Sequence, residues 1–163
     1  FLYSLPDVFD EQFPNRANAF QFDTDTRNIF ICADSKRLLS AFLELLSNAA
    51  EADNSCGSIQ IHSHVNACGH TVTVSVTGKG SLSEINPSEM QTNPLIDADA
   101  PLTAQLSTPF FSTKENHAGL GLSIVAQVCH THHAGFELYS RNGFTTAGIT
   151  FPILAMDDMR NTI

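Results

Sequence analysis

Residues 37–53, RLLSAFLELLSNAAEAD, are the longest regular stretch in the chain, and the segments around them read as the scaffold and loops that close over them. At about 100° per residue, Leu38, Leu39, Phe42, Leu45, Leu46 and Ala49 share one side, the apolar stripe of a core-facing helix. Arg37, Ser40, Glu44, Asn48 and Glu51 lie opposite, within a sector of roughly 80°. A carboxylate and a carboxamide four residues apart therefore share one face. An amide oxygen that can hold Mg²⁺, beside a carboxylate that can orient a water or a nucleophile, is what phosphoryl transfer from a nucleotide requires. A solvated helix face accounts for the same pattern, so the rest of the chain must decide.

The 163 residues, 42% hydrophobic and without a long apolar run, fit one α/β domain with a proper core and no membrane span. Eight basic against seventeen acidic residues give a net charge of −9, which disfavours a nucleic-acid partner. Cys32, Cys56, Cys68 and Cys129 are widely spaced with no C-x-x-C pair, so buried thiols in a reducing cytoplasm are expected rather than a disulfide framework or zinc ribbon. The chain starts at Phe1 with no signal-like leader, and is expected to be a fragment of a longer protein.

Along the chain, residues 1–18 mix prolines and acidic residues with scattered Phe and read as an irregular lead-in or linker remnant. Short strands are expected at 19–24 and 28–32, with Asp34 and Ser35 capping the central helix. An antiparallel hairpin follows, with Ile59, Ile61 and Val65 on one arm, Val72, Val74 and Val76 on the other, and a turn at 66–69. Residues 81–108 carry Pro87, Pro94 and Pro101 and no steady period, as in a lid or binding loop with at most a short helix. A second helix over 119–133, closed near Ala134-Gly135, and strands at 136–140 and 148–154 joined through Asn142-Gly143 complete the chain. The expected fold class is α+β: a two-layer sandwich with helices on one face of a mixed, mostly antiparallel sheet. Residues 157–163 read as a tail.

Glycines just before a helix let backbone N–H groups approach an anion, and the helix dipole adds to the attraction, so GLGLS at 119–123 is a plausible phosphate cradle that Lys114 could also reach. Alone this signal is weak. In combination, ELLSNAAEA at 44–52, the G-x-G of Gly78 and Gly80, PFFSTK at 109–114, GLGLSIV at 119–125 and GITFPI at 148–153 resemble, in order and rough spacing, the catalytic ATP-binding domain of sensor histidine kinases of the GHKL superfamily. The resemblance covers about residues 19–154 and implies a Bergerat-type ATPase domain over 19–156. It implies ATP and Mg²⁺ as cofactors, with Asn48 holding the metal and Glu44 as the catalytic polar residue one turn earlier. Val76, Gly78, Gly80, Thr113, Lys114, Gly119, Leu120, Gly121 and Leu122 fall at nucleotide-contacting positions, and 81–108 at the lid. It further implies a dimeric phosphoacceptor helical domain elsewhere in the parent protein, a response-regulator receiver as partner, and a cytoplasmic site of action.

One position departs from the family pattern. Where the family has an Asp two residues before the first glycine, accepting from the adenine amino group, this chain has Val76, or Thr77 if the register slips by one. Loss of that bond implies ATP affinity weaker by about ten- to a hundredfold. His117 also replaces a glycine of the phosphate loop, and Lys79 brings a cation to the base pocket. Two functions follow: a working or weakened histidine-kinase ATPase domain, or a nucleotide-blind relative that docks or regulates a response regulator or partner kinase. The histidines at 62, 64, 70, 130, 132 and 133 would need four convergent donors to hold zinc, and a wet strand face and a helix C-terminus explain them without it.

Overall fold

In the computed structural model, which describes residues 1–14, 19–24, 29–52, 57–82, 102–109 and 119–154, helices cover one face of a five-stranded sheet. The elements are α1 (Leu5–Gln12, after a 3-10 turn at Leu2–Ser4), β1 (Ala19–Thr24), α2 (Ser35–Ala52), β2 (Ser58–Val65), β3 (Thr71–Lys79) and α3 (Leu102–Leu106). They are followed by α4 (Gly121–Thr131), β4 (Gly135–Arg141) and β5 (Phe144–Pro152). Strand order is β1-β2-β3-β5-β4; β1 pairs with β2 in parallel and every other pair is antiparallel, which is the mixed sheet expected.

Helix α2 starts where its cap dictates. The Asp34 carboxylate accepts hydrogen bonds from the amides of Lys36 (3.0 Å) and Arg37 (3.1 Å), satisfying two of the donors that a helix start leaves open. Its stripe of Leu38, Phe42, Leu45 and Leu46 is buried against Ile59, Ile61, Val72, Val74 and Val76 of the sheet. On the other sheet face, Thr73 and Thr77 bond to Thr150 (2.8 Å) and Thr146 (2.9 Å), cross-strand hydroxyl pairs suited to a wet surface. The β4–β5 turn has Asn142 and Gly143 at φ 54° and 77°, the left-handed pair that a two-residue hairpin turn favours.

Three local expectations are corrected. Residues 5–12 are helical rather than irregular, because Pro6 sits in the first turn, where its missing N–H costs nothing, and Leu5 and Phe9, four apart, are fully buried. Residues 29–34, which hold the described part of the strand expected at 28–32, form no strand: β1 already occupies the sheet position beside β2, and the Phe30 carbonyl accepts from the Leu154 amide at 3.0 Å. Helix α4 ends at Thr131 rather than near Ala134-Gly135. His133 takes the left-handed position (φ 52°), and the Ala134 amide closes back on the Cys129 carbonyl at 2.9 Å.

Three of the described histidines are engaged by neighbours. His62 and His64 stack on the outer face of β2, ring centroids 5.2 Å apart, with His62 Nε2 3.8 Å from Asp23. His132 lies between helices: its Nε2 accepts from the Asp34 amide (2.9 Å) and its Nδ1 donates to the Val128 carbonyl (2.7 Å).

Candidate functional site

A cavity of about 440 Å³ opens between α2, the ends of β3, β4 and β5, α3 and the start of α4. Glu44, Asn48, Val76, Gly78, Gly80, Gly119, Leu120, Gly121 and Leu122, singled out from the sequence, all line it. Thr113, Lys114 and His117 lie outside the described residues, as do 83–101 of the expected lid and the tail at 157–163. The described part of the lid contains the short helix α3.

Helix geometry delivers Glu44 and Asn48 to the same point. A Cβ added at Gly121 would stand 2.7 Å from Glu44 Oε2 and 3.7 Å from Asn48 Nδ2, so both side-chain ends reach the first residue of α4. Among the described residues no side chain caps that helix, its first residues Gly121 and Leu122 line the cavity, and Gly119 enters the turn with φ +66°. Burial first, and the neighbouring Glu51 charge second, raise the Glu44 carboxyl above its ordinary value. A carboxylate, a carboxamide and an uncapped helix N-terminus thus converge on one end of the cavity, a fit for an anionic phosphate and an oxygen-seeking cation.

The opposite wall is held by close packing. At Gly78 a Cβ would meet Ala49 Cβ at 2.7 Å and the Ala49 backbone at 3.0 and 3.1 Å, so this glycine admits α2 onto β3. Register settles the choice between Val76 and Thr77: Val76, 2% exposed, faces the cavity, while Thr77 faces the other side of the sheet and bonds Thr146.

Leu106, Leu138, Thr145, Ala147 and Glu51 also line the cavity and were not singled out from the sequence. The inward alternation of β4 and β5 carried a signal for Leu138, Thr145 and Ala147, but only strand order shows that these strands reach α2's neighbourhood.

The fold is a two-layer α+β sandwich with a cavity between its central helix, the strand ends and the start of α4. Residues 33–155 match the family of histidine kinase-, DNA gyrase B-, and HSP90-like ATPases, and the chain belongs to that family. It is 33% identical over 127 residues to the sensory histidine kinase/phosphatase NtrB of Rhizobium leguminosarum bv. phaseoli, covering 75% of this chain and 32% of that protein. It is 28% identical over 120 residues to NtrB of Rhodobacter capsulatus, covering 74% and 33%. The chain thus spans about a third of the length of these curated relatives. Among solved structures, the catalytic domain of the histidine kinase ThkA superposes with a TM-score of 0.68 at 26% identity, covering 92% of this chain and 88% of that one. Among the described residues, no helix is long and apolar enough to cross a membrane.

Proposed function

We propose that this chain is the ATP-binding catalytic domain of a two-component sensor kinase, passing the γ-phosphoryl group to a histidine on a separate dimeric helical domain of its parent protein. The observation that carries this reading is the convergence of Glu44 and Asn48 on Gly121 at the uncapped start of α4. Triphosphate oxygens would take the first-turn amides of α4, where the backbone supplies donors without a side chain. Asn48, with Glu44 beside it, would hold Mg²⁺, which neutralises charge developing on the phosphates. Glu44 would orient the attacking group, a role that needs its ionised form and sets in at a higher pH than for an ordinary glutamate. Thr113 and Lys114 would reach the same phosphates.

A receiver-domain partner in the cytoplasm follows from the same reading, supported by ThkA, solved in complex with the response regulator protein TrrA and 25% identical to this chain over 94% of its length. The deciding experiment is titration of the domain with ATP and ADP, with and without Mg²⁺, followed by phosphorylation in trans of the parent's helical domain. Saturable Mg²⁺-dependent binding and label on a histidine support the kinase. Absence of nucleotide binding by a folded domain would instead favour a docking module, the reading that a valine at position 76 keeps open.

A further inference from the structure

The cavity has two unlike ends. Glu44, Asn48 and the start of α4 make one end charged and polar, whereas Val76, Leu106, Leu138 and Ala147 make the other apolar. Val76 and Leu106 are 2% and 4% exposed, so this is a closed wall rather than a rim. A nucleotide whose phosphates lie at the first end places its ring against the second.

The hydroxyl protons nearest that wall are already committed. Thr77 belongs to the outer face, bonded to Thr146. Thr145 donates to the Gly80 carbonyl (3.1 Å), so the proton in its contact with Ser140 (2.6 Å) comes from Ser140. Ser140 accepts in turn from the Leu82 amide at 2.9 Å. This chain of bonds runs in one direction and leaves neither hydroxyl a proton to donate. The carboxylates and the amide among the described lining residues, Glu44, Glu51 and Asn48, all stand on α2, and Lys79, the cation among them, is exposed at the last position of β3.

We infer that the cavity accepts purine nucleoside triphosphates with little regard to the substituents on the ring edge, selecting the ring chiefly by shape and burial. The inference rests on the proposed nucleotide role of the cavity. Sites that hydrogen-bond a substituent reject an analogue lacking it by about 10⁴-fold or more, because their own polar group is left unpaired; an apolar wall has no such group. The amino group of ATP and the carbonyl of ITP are desolvated alike against Val76, Leu106, Leu138 and Ala147, side chains that carry no polar atom to pair with either.

The test is displacement of a fluorescent ATP analogue from the domain by ATP, ITP and GTP in Mg²⁺. Dissociation constants for ATP and ITP within about threefold, and for GTP within about tenfold, are expected. A preference for ATP of about a hundredfold or more would overturn the inference while leaving the kinase reading intact. Saturation by none of the three would overturn both. Val76→Asp supplies an acceptor at the wall and should shift the ATP-to-ITP ratio about tenfold or more toward ATP. The nearly isosteric Val76→Thr should shift it the same way, and serves if the aspartate variant fails to fold. An unchanged ratio in a folded variant would show that Val76 does not face the ring, which also sinks the inference.

Discussion

Replacing Gly121 by alanine separates chemistry from folding, because the new methyl group would meet a movable side-chain end rather than backbone. The added Cβ would lie 2.7 Å from Glu44 Oε2, closer than real Cβ atoms come to oxygen, and 3.6 Å from Glu44 Cδ. The carboxylate must retreat by about 0.5–1 Å to recover van der Waals distance. Glu44 is only partly buried and can turn outward at a cost of about 0.5–1.5 kcal/mol if it leaves a rotamer well. Alanine in place of glycine returns up to about 1 kcal/mol in helix propensity. Folding stability should therefore stay within about 1 kcal/mol, a Tm change of at most about 4 °C. A catalytic group displaced by about 1 Å loses up to about a hundredfold in rate. Phosphoryl transfer to the helical domain in trans should fall about ten- to a hundredfold, with thermal melts almost unchanged. Gly78→Ala is the contrasting control: its methyl group would strike the Ala49 backbone at 3.0 and 3.1 Å, which should cost about 1–3 kcal/mol and visibly lower Tm. Full transfer activity in Gly121→Ala at wild-type Tm would mean that the approach of Glu44 to α4 has no part in the chemistry.

Glu44→Gln should stabilise the domain at about pH 8 and lose that advantage at about pH 4. The folded state holds the Glu44 proton more tightly than the unfolded chain does, so wild-type stability falls as pH rises from the ordinary carboxylate value through the raised one. Melts of the two proteins across this range check the sign. Of the described cysteines, all expected to be buried, only Cys129 is; its thiol is pushed up to about 11, so it should resist alkylation in the native state while the exposed Cys32 and Cys68 react, and mass mapping after brief iodoacetamide treatment reads this out. Ser140→Ala leaves the Leu82 amide and the Thr145 oxygen without their partner, and should cost about 1–2 kcal/mol in denaturant unfolding. Ser140→Thr, which keeps the hydroxyl, should recover part of that loss.

The central helix, the β2–β3 hairpin and the β4–β5 hairpin were legible because each couples an apolar period to its own punctuation: Asp34 as cap, the turn from Asn66 to Gly69, and Asn142-Gly143. Helix α1 was obscured because Pro6 and the acidic residues look like breakers, although Leu5 and Phe9 already had helical spacing. The apolar alternation near 28–32 suggested a strand, but a strand needs a neighbour, and pairing is a property of the whole sheet. For the same reason no local signal could place Leu138 and Thr145 in the cavity, or decide between Val76 and Thr77; both depend on registers such as Val76 opposite Ala147. Glu44 and Asn48 could be grouped from the sequence because one helix face carries both, and Gly119 and Gly121 because one loop does; that the two sets meet is a matter of helix packing.

The His132 bridge has a mechanical consequence. Helix α4 meets the Glu44–Asn48 part of α2 with its first turn and the Asp34 cap of α2 with its last, so the two helices run antiparallel and are joined at the far end through one imidazole. Its eleven residues span about 16 Å, and each residue of sliding along the axis would shift its first turn by about 1.5 Å. With both ring nitrogens engaged, one to each helix, His132 fixes α4 against axial slip. The spacing between Glu44 and the first-turn amides of α4 is thus set partly by a residue at the opposite end of the helix that touches none of them.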